Sequence, residues 1–182
     1  MFDLKPSKIS GCFELQPKVF EDTRGRFVKV FHDKTFATQG LETNFSEEFY
    51  SVSHKNVIRG LHFQLPPMDG IKMVYCVAGK ILDAVVDLRV GSPTYGQFEL
   101  FKLSSTKANI VYIPKGVAHG FCVLSEQAIL VYKVSTVYSP LHDSGVLWNS
   151  VGIPWPTTEA ILSARDATFS RLDEFISPFR YE

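Results

Sequence analysis

Four polar side chains lie in or beside apolar, strand-like stretches of this sequence, and together they form a set suited to proton transfer. His62 sits in Arg59-Gly60-Leu61-His62, just ahead of Pro66-Pro67. Lys72 opens Lys72-Met73-Val74-Tyr75-Cys76-Val77, His119 precedes Gly120 to Val123, and Tyr132 lies within Ala128 to Val134. An unpaired polar group in a protein interior costs roughly 1–3 kcal/mol, so each of these needs a reason to be there. Taken singly, each has an ordinary explanation: a satisfied core histidine, a lysine snorkelling to water, a tyrosine with its hydroxyl at the rim. Taken together, a base, a cation and a phenol suit removal of a proton from a carbon next to a carbonyl. The imidazole takes the proton, the cation and a second histidine stabilise the enolate, and the phenol returns a proton from the opposite face.

Strands must position these groups, because strand signals dominate the chain. Runs rich in β-branched and aromatic residues cover Arg26 to His32, Glu48 to Ser53, Gly70 to Val77, Lys80 to Leu88, Phe98 to Leu103, Asn109 to Ile113, Gly120 to Val123 and Ala128 to Thr136. Turn formers such as Ala78-Gly79-Lys80, Gly91-Ser92-Pro93 and Pro114-Lys115-Gly116 punctuate them. A spacing of about 8–12 residues between such signals reads as a sandwich or barrel. Helical periodicity is local, at Asp33 to Gln39, Thr158 to Leu162 and Phe169 to Ile176. The expectation is one all-β domain over residues 1–182, with short helical segments near the N-terminal part and in the C-terminal tail.

Composition bounds the function. Apolar residues make up 45% of the 182 residues, which is enough for a packed core and argues against disorder. Nineteen basic and nineteen acidic residues cancel, so no excess of cations exists to hold a nucleic acid or an acidic membrane surface. The first eleven residues carry charges where a signal peptide would be apolar, and no apolar run approaches the ~20 residues of a membrane span. Cys12, Cys76 and Cys122 are odd in number and sit in apolar stretches, as free buried thiols of a cytoplasmic protein would.

The stretch Pro114-Lys115-Gly116-Val117-Ala118-His119 resembles the second signature of cupins, jelly-roll proteins in which that histidine faces the barrel interior. Many cupins bind a metal there, through an H-x-H pair and a glutamate from an earlier strand. The corresponding region here is His62-Phe63-Gln64, without a second histidine, and His32, His54 and His142 occupy stretches of turn or surface character. A barrel without a metal or other cofactor is expected.

A more specific resemblance spans Phe20 to Asp166. Asp22-x-Arg24-Gly25-x-Phe27, Arg59-Gly60-Leu61-His62-Phe63-Gln64-x-Pro66-Pro67, Lys72-Met73-Val74 and Ile113-Pro114-x-Gly116-x-Ala118-His119-Gly120-Phe121 occur in order. Tyr132-Lys133, Tyr138-x-Pro140, Trp148-Asn149 and Leu162-Ser163-x-Arg165-Asp166 follow. This series is similar to that of the dTDP-4-dehydrorhamnose 3,5-epimerase family, metal-free cupins that are usually dimers. The resemblance implies His62 as general base, oriented by Asp166 in a dyad that favours the imidazolium, and Tyr132 as the acid across the sugar. It further implies that Lys72 and His119 stabilise the enolate oxygen, that Arg24 and Arg59 hold the substrate, and that Tyr138 contacts the nucleotide. Asp143 stands where the family has Glu, and Arg165 where it has Lys. Each keeps the charge, and both are expected to bind substrate. The implied reaction inverts C3, C5 or both in a nucleoside-diphosphate-linked 4-keto-6-deoxyhexose, in deoxysugar biosynthesis for cell-surface polysaccharide such as lipopolysaccharide O-antigen.

Four positions depart from the family pattern: Glu47 and Phe49 of Glu47-Glu48-Phe49 stand where it has Gln-x-Asn, Lys29 replaces a Glu, and Gly70 replaces a Gln. Either the pocket rim has drifted, or the pocket takes another substrate. Glu47 could accept from cytosine N4, which thymine lacks, so a CDP-linked sugar and inversion at C3 alone both stay open. A ketoisomerase would use the same three groups. A sugar-nucleotide-binding cupin without activity and a metal-dependent oxygenase are the other classes compatible with the fold.

Overall fold

The computed structural model describes residues 2–181, so Met1 and Glu182 of the expected domain lie outside the described residues. Thirteen strands and one helix follow in order: β1 (Phe2–Pro6), β2 (Phe13–Pro17), β3 (Val19–Asp22), β4 (Gly25–Val28), α1 (Asp33–Thr38), β5 (Glu47–His54) and β6 (Ile58–Gln64). Then come β7 (Lys72–Ala78), β8 (Lys80–Asp87), β9 (Phe98–Ser104), β10 (Ile110–Ile113), β11 (Val117–Val123), β12 (Gln127–Val134) and β13 (Asp143–Gly145). Two 3₁₀ turns, Asp166–Thr168 and Leu172–Glu174, lie in the tail.

An antiparallel six-stranded sheet, β1-β2-β10-β7-β12-β5, faces a five-stranded one, β13-β6-β11-β8-β9, while β3 and β4 form a separate hairpin. This is the jelly roll the sequence leads one to expect, except that the two sheets stay separate and do not close into one barrel. Period-2 alternation distributes the apolar residues over three layers. Val74, Cys76, Leu130, Ile81, Val85 and Phe121 meet between the sheets. Leu82 aside, the alternate residues of β8 (Ala84, Val86) point outward, where Ile153 and Phe179 of the tail cover them. On the far side, Met73 and Tyr75 are covered by Phe36 of α1 and Leu41.

Two expected elements take a different form. The run Arg26 to His32 is a strand only to Val28, because His32 caps α1: its Nδ1 accepts from the Thr35 N–H at 3.4 Å. Thr158 to Leu162 is not helical. The Thr157 hydroxyl accepts the Glu159 N–H at 3.1 Å, a local turn that competes with helix formation, and Ile161 instead bridges to Val57 in parallel. Phe169 to Ile176 holds a single 3₁₀ turn. Strands β1, β2, β3 and β13 have no counterpart in the strand signals of the sequence; they are short, polar or bounded by proline.

Candidate functional site

Between the open ends of the sheets lies a cavity of about 380 Å³. His62, Lys72, His119 and Tyr132 all line it, as do Arg59, Tyr138, Asp143 and Arg165. Arg24 does not. It sits on the exposed β3–β4 hairpin, paired with Asp22 at 2.6 Å.

The way β6 delivers two side chains to this cavity begins with glycine. Arg59 and His62 are three residues apart, a spacing that in a regular strand puts them on opposite faces. Here His62 pairs with His119 and Arg59 with Phe121, so Gly60 and Leu61 together oppose Gly120 alone. This bulge returns Arg59 to the face of His62. It requires glycine twice: Gly60 has φ 134°, and a Cβ there would stand 2.5 Å from the Gly120 Cα.

The imidazole and the phenol come from opposite walls. His62 and His119, direct cross-strand partners, belong to the five-stranded sheet; Lys72 and Tyr132 belong to the six-stranded one. Lys72, Val74 and Cys76 share the inward face of β7, so the lysine continues the apolar core face into the cavity. His119 lies edge-on to Tyr132, with ring centroids 6.3 Å apart.

Burial and neighbouring groups together set the state of each side chain. Asp166, 2% exposed on its 3₁₀ turn, places Oδ1 2.9 Å from His62 Nε2 and accepts the Gly60 N–H on Oδ2 at 3.0 Å. Burial alone would raise its carboxyl, but the adjacent His62 ring, the Gly60 N–H and Ser163 outweigh burial and hold it well below the ordinary carboxylate range. Burial lowers the His62 pKa, and the opposing pull of Asp166 does not overcome it. The ring therefore rests neutral, which suits a base and differs from the imidazolium that the dyad alone suggests. Burial brings Lys72 down to about 8, against the attraction of Asp83 and Asp143. Burial lifts Tyr132 far above its usual value despite a 3.0 Å hydrogen bond with the Ser51 hydroxyl, so the phenol keeps its proton. Phe49 stacks on Tyr132 at 4.8 Å and 15°.

Two further residues complete the site. Asp83, fully buried, holds His119 Nε2 at 2.7 Å and leaves its own Oδ1 unpartnered; burial raises its pKa against His119 and Lys72. Its signal was an acidic residue on the core-facing alternation Ile81-x-Asp83-x-Val85. Ser51 gave no signal of its own. Arg59 Nε donates to Ser53 Oγ at 2.9 Å, and Tyr138 donates its N–H to Glu47 at 3.0 Å and its hydroxyl to Asp143 at 3.3 Å. Among the described residues no group of three His, Cys, Asp or Glu is placed to hold a metal ion. Cys12, Cys76 and Cys122 are free and buried. No helix among the described residues is long and apolar enough to cross a membrane.

A jelly roll enclosing a neutral imidazole, a protonated phenol and a buried ammonium defines a site for proton transfer at carbon. The sequence profile of dTDP-4-dehydrorhamnose 3,5-epimerase matches residues 6–174. A dTDP-4-dehydrorhamnose 3,5-epimerase of Shigella flexneri is 43% identical over 163 residues, covering 88% of this chain and 90% of the relative. A dTDP-4-dehydrorhamnose 3-epimerase of Streptomyces niveus is 41% identical over 166 residues, covering 90% and 80%. The crystal structure of dTDP-6-deoxy-D-glucose-3,5-epimerase from Legionella pneumophila, in complex with dTDP-4-keto-L-rhamnose, superposes with a TM-score of 0.95 at 33% identity, covering 100% of both chains. The chain belongs to the dTDP-4-dehydrorhamnose 3,5-epimerase family: it is an isomerase of the sugar-nucleotide epimerase type.

Proposed function

We propose that residues 1–182, acting as one domain, epimerise a dTDP-linked 4-keto-6-deoxyhexose at C3 and C5 by proton abstraction and reprotonation, without a cofactor. The observation that carries this reading is the placement of His62 and Tyr132 on opposite sheets of one cavity. Both C3 and C5 adjoin the C4 ketone, so removal of either proton yields an enolate. His62 takes the proton, with Asp166 orienting the ring. Lys72 and His119, the latter held by Asp83, face the negative charge that develops on the C4 oxygen. Tyr132 donates a proton to the other face of the same carbon, inverting it; the phenolate left behind regains a proton from solvent as the proton on His62 returns there. Arg59, Tyr138, Asp143 and Arg165 bind the nucleotide and diphosphate, whose remote binding energy orients the ring.

The physiological form in this reading is a cytoplasmic homodimer, its buried free thiols suited to a reducing compartment. Strand β5 ends the six-stranded sheet and exposes Tyr50 and Val52, and the β3–β4 hairpin exposes Phe20 and Phe27. Apolar side chains along an open sheet edge suit pairing with a second chain. The same pairing would carry Arg24 from an exposed hairpin towards the partner's cavity.

Inversion at one centre is the second reading, favoured by the Phe49–Tyr132 stack in place of a polar rim residue. Proton NMR of dTDP-4-keto-6-deoxyglucose with the protein in deuterated water separates the two. Deuterium at C3 and C5 supports double inversion, deuterium at one carbon supports the second reading, and incorporation at neither overturns both.

A further inference from the structure

One nitrogen of the base has two suitors. His62 Nε2 lies 2.9 Å from Asp166 Oδ1 and 2.8 Å from Arg165 Nη2. A carboxylate only accepts a hydrogen bond and a guanidinium only donates one, while a neutral imidazole nitrogen does one or the other. The two contacts therefore exclude each other. With a proton on Nε2 the ring donates to Asp166, and Nδ1, which has no protein partner among the described residues, presents a lone pair. With Nε2 bare the ring accepts from Arg165, and Nδ1 carries the proton. Only the first form is a base through Nδ1.

We infer that Arg165 is a positioning residue that holds His62 in its inactive tautomer and releases it when the substrate's diphosphate draws the guanidinium away. Arg165 is built for such an exchange. Its Nη1 pairs with Asp143, its Nε reaches Asp166 Oδ1 at 3.4 Å, and its guanidinium lies 5.5 Å from the Phe169 ring centre. The side chain is 46% exposed, so it can be reached from the cavity mouth it lines. A diphosphate offers the guanidinium a bidentate partner with more negative charge than Asp143. Once Arg165 turns to it, Asp166 is the sole partner left for Nε2, and the base forms only beneath bound substrate. The other charge facing the ring, Lys72, is present in both states.

This inference rests on the nucleotide-sugar reading for the identity of the releasing anion, but the hold on His62 is testable without it. The measurement is ¹⁵N NMR of protein labelled in its histidine rings, with His62→Gln assigning the signal by its loss. In the resting protein His62 Nε2 reads as unprotonated. Arg165→Gln moves the proton from Nδ1 to Nε2, and Arg165→Lys, which keeps the charge but lacks the second nitrogen, does the same. Adding dTDP or inorganic pyrophosphate to the unmodified protein produces that shift too. A protonated Nε2 in the resting protein, unchanged in both variants, overturns the inference. So does dTDP that binds by calorimetry yet leaves Nε2 bare. Failure of dTDP to bind at all overturns the substrate reading, while the two variants still decide whether Arg165 holds the ring.

Discussion

Replacing Asp166 by Asn changes one atom and should stop the chemistry. Once Arg165 has turned away, the carboxylate accepts twice, from Gly60 N–H at 3.0 Å and through the His62 Nε2 contact at 2.9 Å. An Asn amide can keep its oxygen on Gly60, but its nitrogen then donates to Nε2 and forces the ring proton onto Nδ1. The base disappears although the geometry survives. General base catalysis contributes typically 10²–10⁴-fold, so kcat should fall by about that factor, or ~2.7–5.5 kcal/mol in the barrier, with KM little changed. The same substitution costs stability in a pH-dependent way. The folded carboxyl titrates below its unfolded value of about 3.9, so its charge stabilises the wild type above that pH, and the contribution fades as pH falls through the folded value. Asp166→Asn should therefore be less stable by about 1–3 kcal/mol at pH 7 and approach the wild type in acid. Deuterium incorporation followed by NMR and urea unfolding at pH 7 and pH 3 give the two readouts. A variant with more than about a tenth of wild-type turnover would refute the tautomer argument.

Lys72→Met should abolish turnover yet raise the melting temperature, because holding an ammonium in this site costs the fold stability in full below about pH 8, a cost that fades as pH rises from there to the ordinary lysine value of 10.5; calorimetric scans at pH 7 and pH 10 test it. Activity of the wild type should decline as pH rises through about 8, where Lys72 loses its charge, and a pH–kcat profile of Lys72→Arg should keep activity to higher pH. Gly60→Ala should unfold the bulge, destabilising by about 3 kcal/mol, because the new Cβ would meet Gly120 Cα at 2.5 Å with backbone on both sides; denaturant titration measures it. Phe49→Asn should loosen Tyr132 by about 0.5–1.5 kcal/mol of lost stacking, read as slower reprotonation with unchanged deuterium uptake.

The site was legible where a polar residue interrupted an apolar alternation. His62, Lys72, His119 and Tyr132 stood out for that reason, and all four line one cavity. Asp83 broke the pattern of β8 in the same way and could have been found by it. Asp166 could not: Ser163-Ala164-Arg165-Asp166 has no period, and its approach to His62, 104 residues earlier, depends on how the tail folds back. Only the family resemblance supplied it. The central strands were readable because burial on both faces selects continuous apolar runs. The edge strand β1 was not, since Asp3, Lys5 and Pro6 are what an exposed strand tolerates. The bulge in β6 was equally hidden, because two glycines announce flexibility without saying which strand gains the extra residue.

Strand β5 has one further consequence. Its alternate residues Glu47, Phe49 and Ser51 form part of the cavity wall, while the residues between them face away and its outer backbone edge pairs with no strand among the described residues. Whatever docks along that edge thus sits one peptide plane from the groups that line the cavity and touch the phenol. A mutation far from the reacting carbon, made only to alter association, would tilt the rim and change which sugars fit. Substrate preference and quaternary contact would then drift together, inherited on a single eight-residue ribbon.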